Sequence, residues 1–136
     1  MILKSIHGQK INAPHAEKFL IDWNAQSRSN FQSEVKKFLY NYWQFHVVFE
    51  EFTIPKTRLS LDFFNKTLNV AVEVQGAQHN KYIKHFHGNH NINFLRQLKR
   101  DDQKLKFCEN FGIKLVEIYP NDILSKELFA NFGVIL

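Results

Sequence analysis

The sequence predicts an α/β sandwich, a single domain in which helices flank a mixed four-stranded sheet, and three observations carry that prediction. Three strand-like runs, "FHVVFEEFTI", "TRLSLDFF" and "TLNVAVEVQG", follow one another with turn signals between them. A fourth, "IKLVEIYP", is reached only after a helix-length segment, so it is expected to lie parallel to one of its predecessors. Helical spacing of apolar residues recurs before and after the set, and strands this continuously apolar need cover on both faces. With 136 residues, 44% hydrophobic and fourteen of them Phe, the chain can bury one sizeable core but hardly two.

The elements follow in order. "MILKSI" and the turn signal at Gly8 precede Pro14, which suits the first turn of a helix from about His15 to Ala25. After "QSRSN", Ser29 is placed to cap a second helix in which Phe31, Val35, Phe38, Leu39 and Tyr42 recur through about Trp43. Glu34 falls on that apolar side and is expected to be at least partly buried. The first strand run ends at Pro55, and the pair Asn65-Lys66 joins the next two as an antiparallel hairpin ended by Gly76. "AQHNKYIKHFHGNHN" has no clean period and holds four of the seven histidines, so it reads as a loop. A helix from about Ile92 to Asn110 follows, with Leu95, Leu98, Leu105 and Cys108 as its stripe and Gly112 as its stop. After the fourth strand, "NDILSKELFANF" reads as a closing helix capped by Asn121. The expected organisation is an N-terminal extension and helix over 1–28, a core over 29–120 and a C-terminal helix over 121–136.

Composition narrows the function classes. Lys plus Arg number 18 against 13 acids, a formal charge of +5, which favours a polyanionic partner. The single Cys108 excludes an intramolecular disulfide and a cysteine-rich zinc knuckle. No apolar run approaches twenty residues and no signal-peptide h-region is seen, so the expectation is a cytoplasmic chain with no membrane partner.

Two carboxylates sit where apolar residues belong. Ser60, Asp62 and Phe64 share one strand face, and Ala71, Glu73 and Gln75 share another, so antiparallel pairing can set Asp62 beside Glu73. Two such carboxylates repel, raise each other's pKa and ask for a cation. Mg²⁺ takes one or two carboxylates and completes its shell with water and phosphate oxygens; Asp62, Glu73 and the Val74 carbonyl supply that chemistry. The ordinary alternative is that Asp62 pairs with Arg58 or a lysine while Glu73 points to solvent.

The order of elements, with a helical glutamate, then "LDFF", then "VEVQ" after a short turn, resembles the αβββαβ restriction-endonuclease-like core of the PD-(D/E)XK nuclease superfamily. The lysine of that motif is replaced by Gln75, two residues after Glu73. The downstream stretches "QGAQH", "HGN" and "RDDQKLKFCENFGIKLVEIYP" are similar to the very-short-patch mismatch-repair endonucleases and the related phage homing endonuclease domains described by an EDxHD pattern. The resemblance covers roughly residues 31–120. It implies Glu34 as the helical acid, Asp62 as the central metal ligand, Glu73 at the variable third position, His79 as the histidine and Asp101 as the final acid, with Asp102 as competitor for the last role. It lacks the structural zinc site of the mismatch-repair enzymes.

What the resemblance implies is a Mg²⁺- or Mn²⁺-dependent DNA endonuclease. With no lysine at position 75, His79 is the candidate acid or base and Gln75 a candidate for orienting water. Lys81, Lys84, Arg96, Lys99, Arg100 and Lys104 are candidates for holding DNA phosphates, and Tyr82 and Phe86 for wedging between bases. Specificity is expected from DNA shape, a homodimer, a partner protein or a further module. The alternatives are a nuclease fold that binds nucleic acid without turnover, and cleavage of RNA.

Overall fold

A computed structural model describes residues 1–76 and 90–136. Two short strands, β1 (Ile2–Lys4) and β2 (Lys10–Asn12), form a hairpin, and one 3₁₀ turn spans Ala16–Phe19. Helix α1 (Asn30–Trp43) leads into β3 (Val48–Thr53), β4 (Ser60–Asn65) and β5 (Val70–Val74). Helix α2 (His90–Asn110), β6 (Lys114–Ile118) and α3 (Lys126–Ala130) complete the order. The main sheet runs β3-β4-β5-β6, antiparallel through β5 and parallel between β5 and β6. It is the mixed four-stranded sheet flanked by helices that the strand pattern predicts. Among the described residues, no helix is long and apolar enough to cross a membrane.

Strand alternation divides the core. Phe63, Val72, Val116 and Ile118 pack with Val35, Leu39 and Trp43 of α1 and with Phe129 of α3. On the other face Phe52, Phe64 and Ala71 pack with Leu3, Ala13 and Ala16 of the N-terminal segment and with Cys108 of α2. Asp62 and Glu73, two positions from Phe64 and Ala71, therefore belong to the α2 face. The Ser29 hydroxyl caps α1 by accepting from the Gln32 amide at 3.1 Å. Gly112, at φ 66°, ends α2 in the left-handed conformation that glycine adopts without a Cβ clash.

Four expectations need correction. Residues 15–25 form no α-helix beyond the single 3₁₀ turn, because Leu20 instead bridges Phe49 and the Ile21 amide donates to the Val48 carbonyl at 3.0 Å. The backbone of this segment is recruited to the edge of β3. Glu34 is exposed: the inward stripe runs through Gln32, Val35, Lys36, Leu39 and Trp43, and Glu34 lies to one side of it. On α2 the stripe of Leu95, Leu98 and Leu105 is exposed at 58, 45 and 41%, and only Cys108 is buried. The helix docks one residue further round, through Lys104, Phe107, Cys108 and Phe111. The closing helix is shorter than expected and is capped by Ser125, whose hydroxyl accepts from the Leu128 amide at 3.2 Å. Asn121 lies in the preceding turn, where Asp122 Oδ2 accepts from the Tyr119 amide at 2.8 Å.

Candidate active site

The Phe63↔Val72 pairing, carried one step along β4 and β5, sets Asp62 opposite Glu73. The two carboxylates brace each other's strands. Asp62 Oδ2 accepts from the Val74 amide at 2.8 Å, and Glu73 Oε2 accepts from the Asp62 amide at 2.8 Å. Both are buried, at 6 and 5% exposure. Burial first, and the neighbouring Glu73 charge second, push the Asp62 acid up to about 7, against the Val74 hydrogen bond and the Lys104 charge, which pull it down.

Two cations reach this pair. Lys104 Nζ lies 2.5 Å from Glu73 Oε1 and is itself largely buried. Arg28, just ahead of the α1 cap, places Nη2 3.4 Å from Asp62 Oδ1 and Nη1 3.8 Å from Glu51 Oε2. Asp62 thus pairs with Arg28 rather than Arg58, and Glu73 is not turned to solvent. Glu51 sits opposite Asp62 in the β3–β4 register, but the ladder steps over it, from Glu50↔Phe63 to Phe52↔Leu61, with Glu51 at φ 53°. On the other side, Glu73 is paired with Glu117 of β6, whose carboxylate accepts from the Tyr119 hydroxyl at 3.3 Å. One acid from each strand therefore crosses the sheet in a row: Glu51, Asp62, Glu73 and Glu117.

The remaining candidates fall into three groups. Gln75 is buried, and its amide extends the β5–β6 pairing by donating to the Ile118 carbonyl at 2.8 Å. Val74 enters through its amide. Asp101 is half-buried, accepts from Gln97 Nε2 at 3.1 Å and is close enough to help raise the Tyr119 pKa, after burial and Glu117. Asp102 is exposed and paired with Lys106 at 3.0 Å. Arg96, Lys99 and Arg100 are exposed on α2, with Arg100 Nη2 donating to Gln97 Oε1 at 2.9 Å. His79, Lys81, Tyr82, Lys84 and Phe86 lie outside the described residues.

Sequence reasoning missed a second network beside the first. Glu50 Oε1 receives Lys36 Nζ at 2.8 Å, while Glu50 Oε2 receives Gln32 Nε2 at 3.0 Å and the Ser27 hydroxyl at 2.6 Å. Gln32 also donates to Glu51 Oε1 at 3.0 Å. The signal lay in the sequence as "FEEF", two acids in an apolar strand, and in Gln32 and Lys36 four residues apart on α1. It also assigned Lys104 to DNA phosphates, whereas the structure sets it on Glu73.

Among the described residues, no three His, Cys, Asp or Glu side chains gather as a metal cage. The Asp62–Glu73 pair nevertheless supplies the one or two carboxylates that Mg²⁺ or Mn²⁺ takes, and an ion there would offset the burial and the Glu73 charge that lift the Asp62 acid.

Three viral proteins are similar to part of the chain. The uncharacterized protein 094L of Frog virus 3 (isolate Goorha) is 40% identical over 60 residues, 44% of this chain and 39% of that protein. The uncharacterized protein 307L of Invertebrate iridescent virus 6 is 38% identical over 60 residues, 44% of this chain and 30% of the relative. The uncharacterized protein 033L of Invertebrate iridescent virus 3 is 34% identical over 65 residues, 48% of this chain and 33% of the relative. No family model and no solved structure matches. The matched stretch thus spans at most 39% of the length of these curated relatives.

Proposed function

We propose that this chain is a metal-dependent DNA endonuclease whose centre is the Asp62–Glu73 pair. One observation carries the reading: two carboxylates from adjacent strands, both nearly excluded from water, face each other with the Asp62 acid held up to about 7. A purely structural role does not require that electrostatic load. Asp62 and Glu73 are the residues that would hold Mg²⁺ or Mn²⁺, and the ion would supply charge neutralisation at the phosphate and activation of water. The Val74 and Asp62 amides fix the carboxylate orientations by hydrogen bonding. Lys104 brings a positive charge to Glu73, where Gln75 has none to offer, and in this reading that charge would stabilise negative charge developing on phosphate oxygens. In the hydrolysis, water oxygen bonds to phosphorus, the bond to the leaving oxygen breaks, and the proton released by water is matched by one taken up at the leaving oxygen. His79 and Asp101 keep their proposed acid–base and metal-assisting roles.

Plasmid nicking tests the reading. Relaxation of supercoiled DNA with Mg²⁺ or Mn²⁺, abolished by EDTA and by Asp62→Asn, is the expected result. Nicking that survives Asp62→Asn at the wild-type rate would remove the pair from the mechanism.

A second reading, a nuclease fold that binds DNA without turnover, is favoured by one feature. Every oxygen of the pair already has a partner in Arg28, Lys104 or a backbone amide. Tight metal-independent DNA binding without nicking is its signature.

A further inference from the structure

The β3–β4 turn carries cations that the proposed reaction does not use. Residues 54–59 form a braced loop: the Ile54 amide donates to the Leu59 carbonyl at 2.8 Å, and the Thr57 hydroxyl donates to the Ile54 carbonyl at 2.9 Å while accepting from the Leu59 amide at 3.0 Å. Lys56 and Arg58 are exposed on it, Lys56 at φ 64°. Neither has a carboxylate oxygen within 4.0 Å among the described residues.

Between this turn and α2 runs an open groove of about 630 Å³, walled by Lys56, Arg58 and Leu59 on one side and Gln103, Lys106 and Phe107 on the other. A second groove of about 470 Å³ borders the opposite flank of the turn and adds Lys18. Among the described residues, four cations line the two grooves and no carboxylate does. Lys106 has a partner in Asp102 at 3.0 Å, but both side chains are exposed, and such a pair is weak and readily exchanged.

The position gives this charge a direction. Asp62 lies four residues beyond Arg58 along the chain entering β4, a span of at most about 13 Å for extended backbone. Gln103 and Lys106 flank Lys104, whose ammonium touches Glu73. Asp62, Glu73 and Lys104 do not line the larger groove; it lies beside them, bordered by helix residues on either side of Lys104 in sequence and by the turn that leads into β4.

We propose that this groove is a track for the phosphate backbone of duplex DNA, with Lys56, Arg58 and Lys106 binding phosphates about two to four nucleotides from the one held at Asp62 and Glu73. The proposal rests on the endonuclease reading for the position of that phosphate. The brace holds the backbone that carries Lys56 and Arg58, so little loop ordering is left for binding. Exposed lysines scattered over a neutral surface have neither that rigidity nor a common groove.

The test is fluorescence anisotropy of a labelled 30-base-pair duplex in EDTA, across a salt series, using Asp62→Asn protein with and without Lys56→Gln and Arg58→Gln. Thermal denaturation checks that each variant folds. Removing both cations should weaken binding about tenfold near 100 mM salt and make the slope of log Kd against log salt shallower by about 2. Lys106→Gln should change the slope by about 1 more.

An unchanged slope, or no duplex binding by the parent protein, overturns the track. An equal loss on a single strand of the same length overturns the duplex assignment. Cation-dependent binding alongside failed nicking keeps the track and removes the nuclease, whereas full nicking with an unmoved slope removes the track and keeps the nuclease.

Discussion

Two charged networks meet at β3, that of Glu50 on the α1 face of the sheet and that of Asp62 and Glu73 on the α2 face, and they differ in how completely charge is matched. Around Glu50, one acid meets one buried lysine, one amide and one hydroxyl, and Lys36 also donates to the Ala25 carbonyl at 3.0 Å. At Asp62 and Glu73, two buried acids and the neighbouring Glu51 share two cations, Lys104 and an Arg28 whose side chain is 69% exposed. Arg28 links the two networks by reaching both Glu51 and Asp62. A closed network fixes a helix against a strand; a network with surplus negative charge has something to gain from a cation. That difference separates architecture from candidate chemistry more sharply than burial, which the two have in common.

The comparison can be broken most directly at Asp62. Asp62→Asn keeps the shape and removes a charge, so nicking should fall at least about a thousandfold while folding is retained. The same variant should reveal the electrostatic load in the absence of metal. Because the folded-state acid lies near 7 and the unfolded value near 3.8, protonated Asp62 contributes stability that is fully present below about 3.8 and is lost as pH rises through about 7. Asp62→Asn should therefore gain stability over wild type as pH rises, by up to about 4 kcal/mol, and Mn²⁺ should narrow the gap by stabilising the wild-type carboxylate. Parallel stability curves for the two proteins from pH 4 to 9 would show that the pair carries no such load.

The closed network should behave oppositely. Lys36→Met strands Glu50 and should cost about 3 kcal/mol in chemical denaturation, with Glu50→Leu added to it recovering much of the loss. Any nicking lost by Lys36→Met should track the unfolded fraction, not kcat of the folded protein. The smallest effect belongs to Lys104, for which Lys104→Ala should lower kcat about tenfold with less change in KM, as expected for a charge felt mainly in the transition state. A loss confined to KM would return Lys104 to the phosphate-binding role its helix position suggests.

What the sequence made legible was local. Period-two alternation in "SLDFF" and "NVAVEVQ" is enough to place Asp62 beside Glu73, because register in a tight hairpin leaves little freedom. Ser29 announced α1 through its own hydroxyl, and the helix before β6 required a parallel return. Where distant segments compete, local pattern failed. Residues 15–25 have helical spacing, but the open edge of β3 takes the backbone of Leu20 and Ile21 instead. Glu34 and Lys36 are two residues apart and equally polar; only the position of Glu50 across the interface decides which turns inward. On α2, hydrophobicity pointed to Leu95 and Leu98, but docking follows Cys108 and the Lys104–Glu73 ion pair.

That strand-edge contact bears on where the molecule can be cut. The outer rim of β3 would otherwise present unpaired amides and carbonyls, a template onto which a second chain could add a strand. Leu20 and Ile21 occupy part of that rim from within the same polypeptide. The segment ahead of Ser29 thus covers part of an edge open to strand addition, and removing it would both expose that edge and take Arg28 away from Asp62.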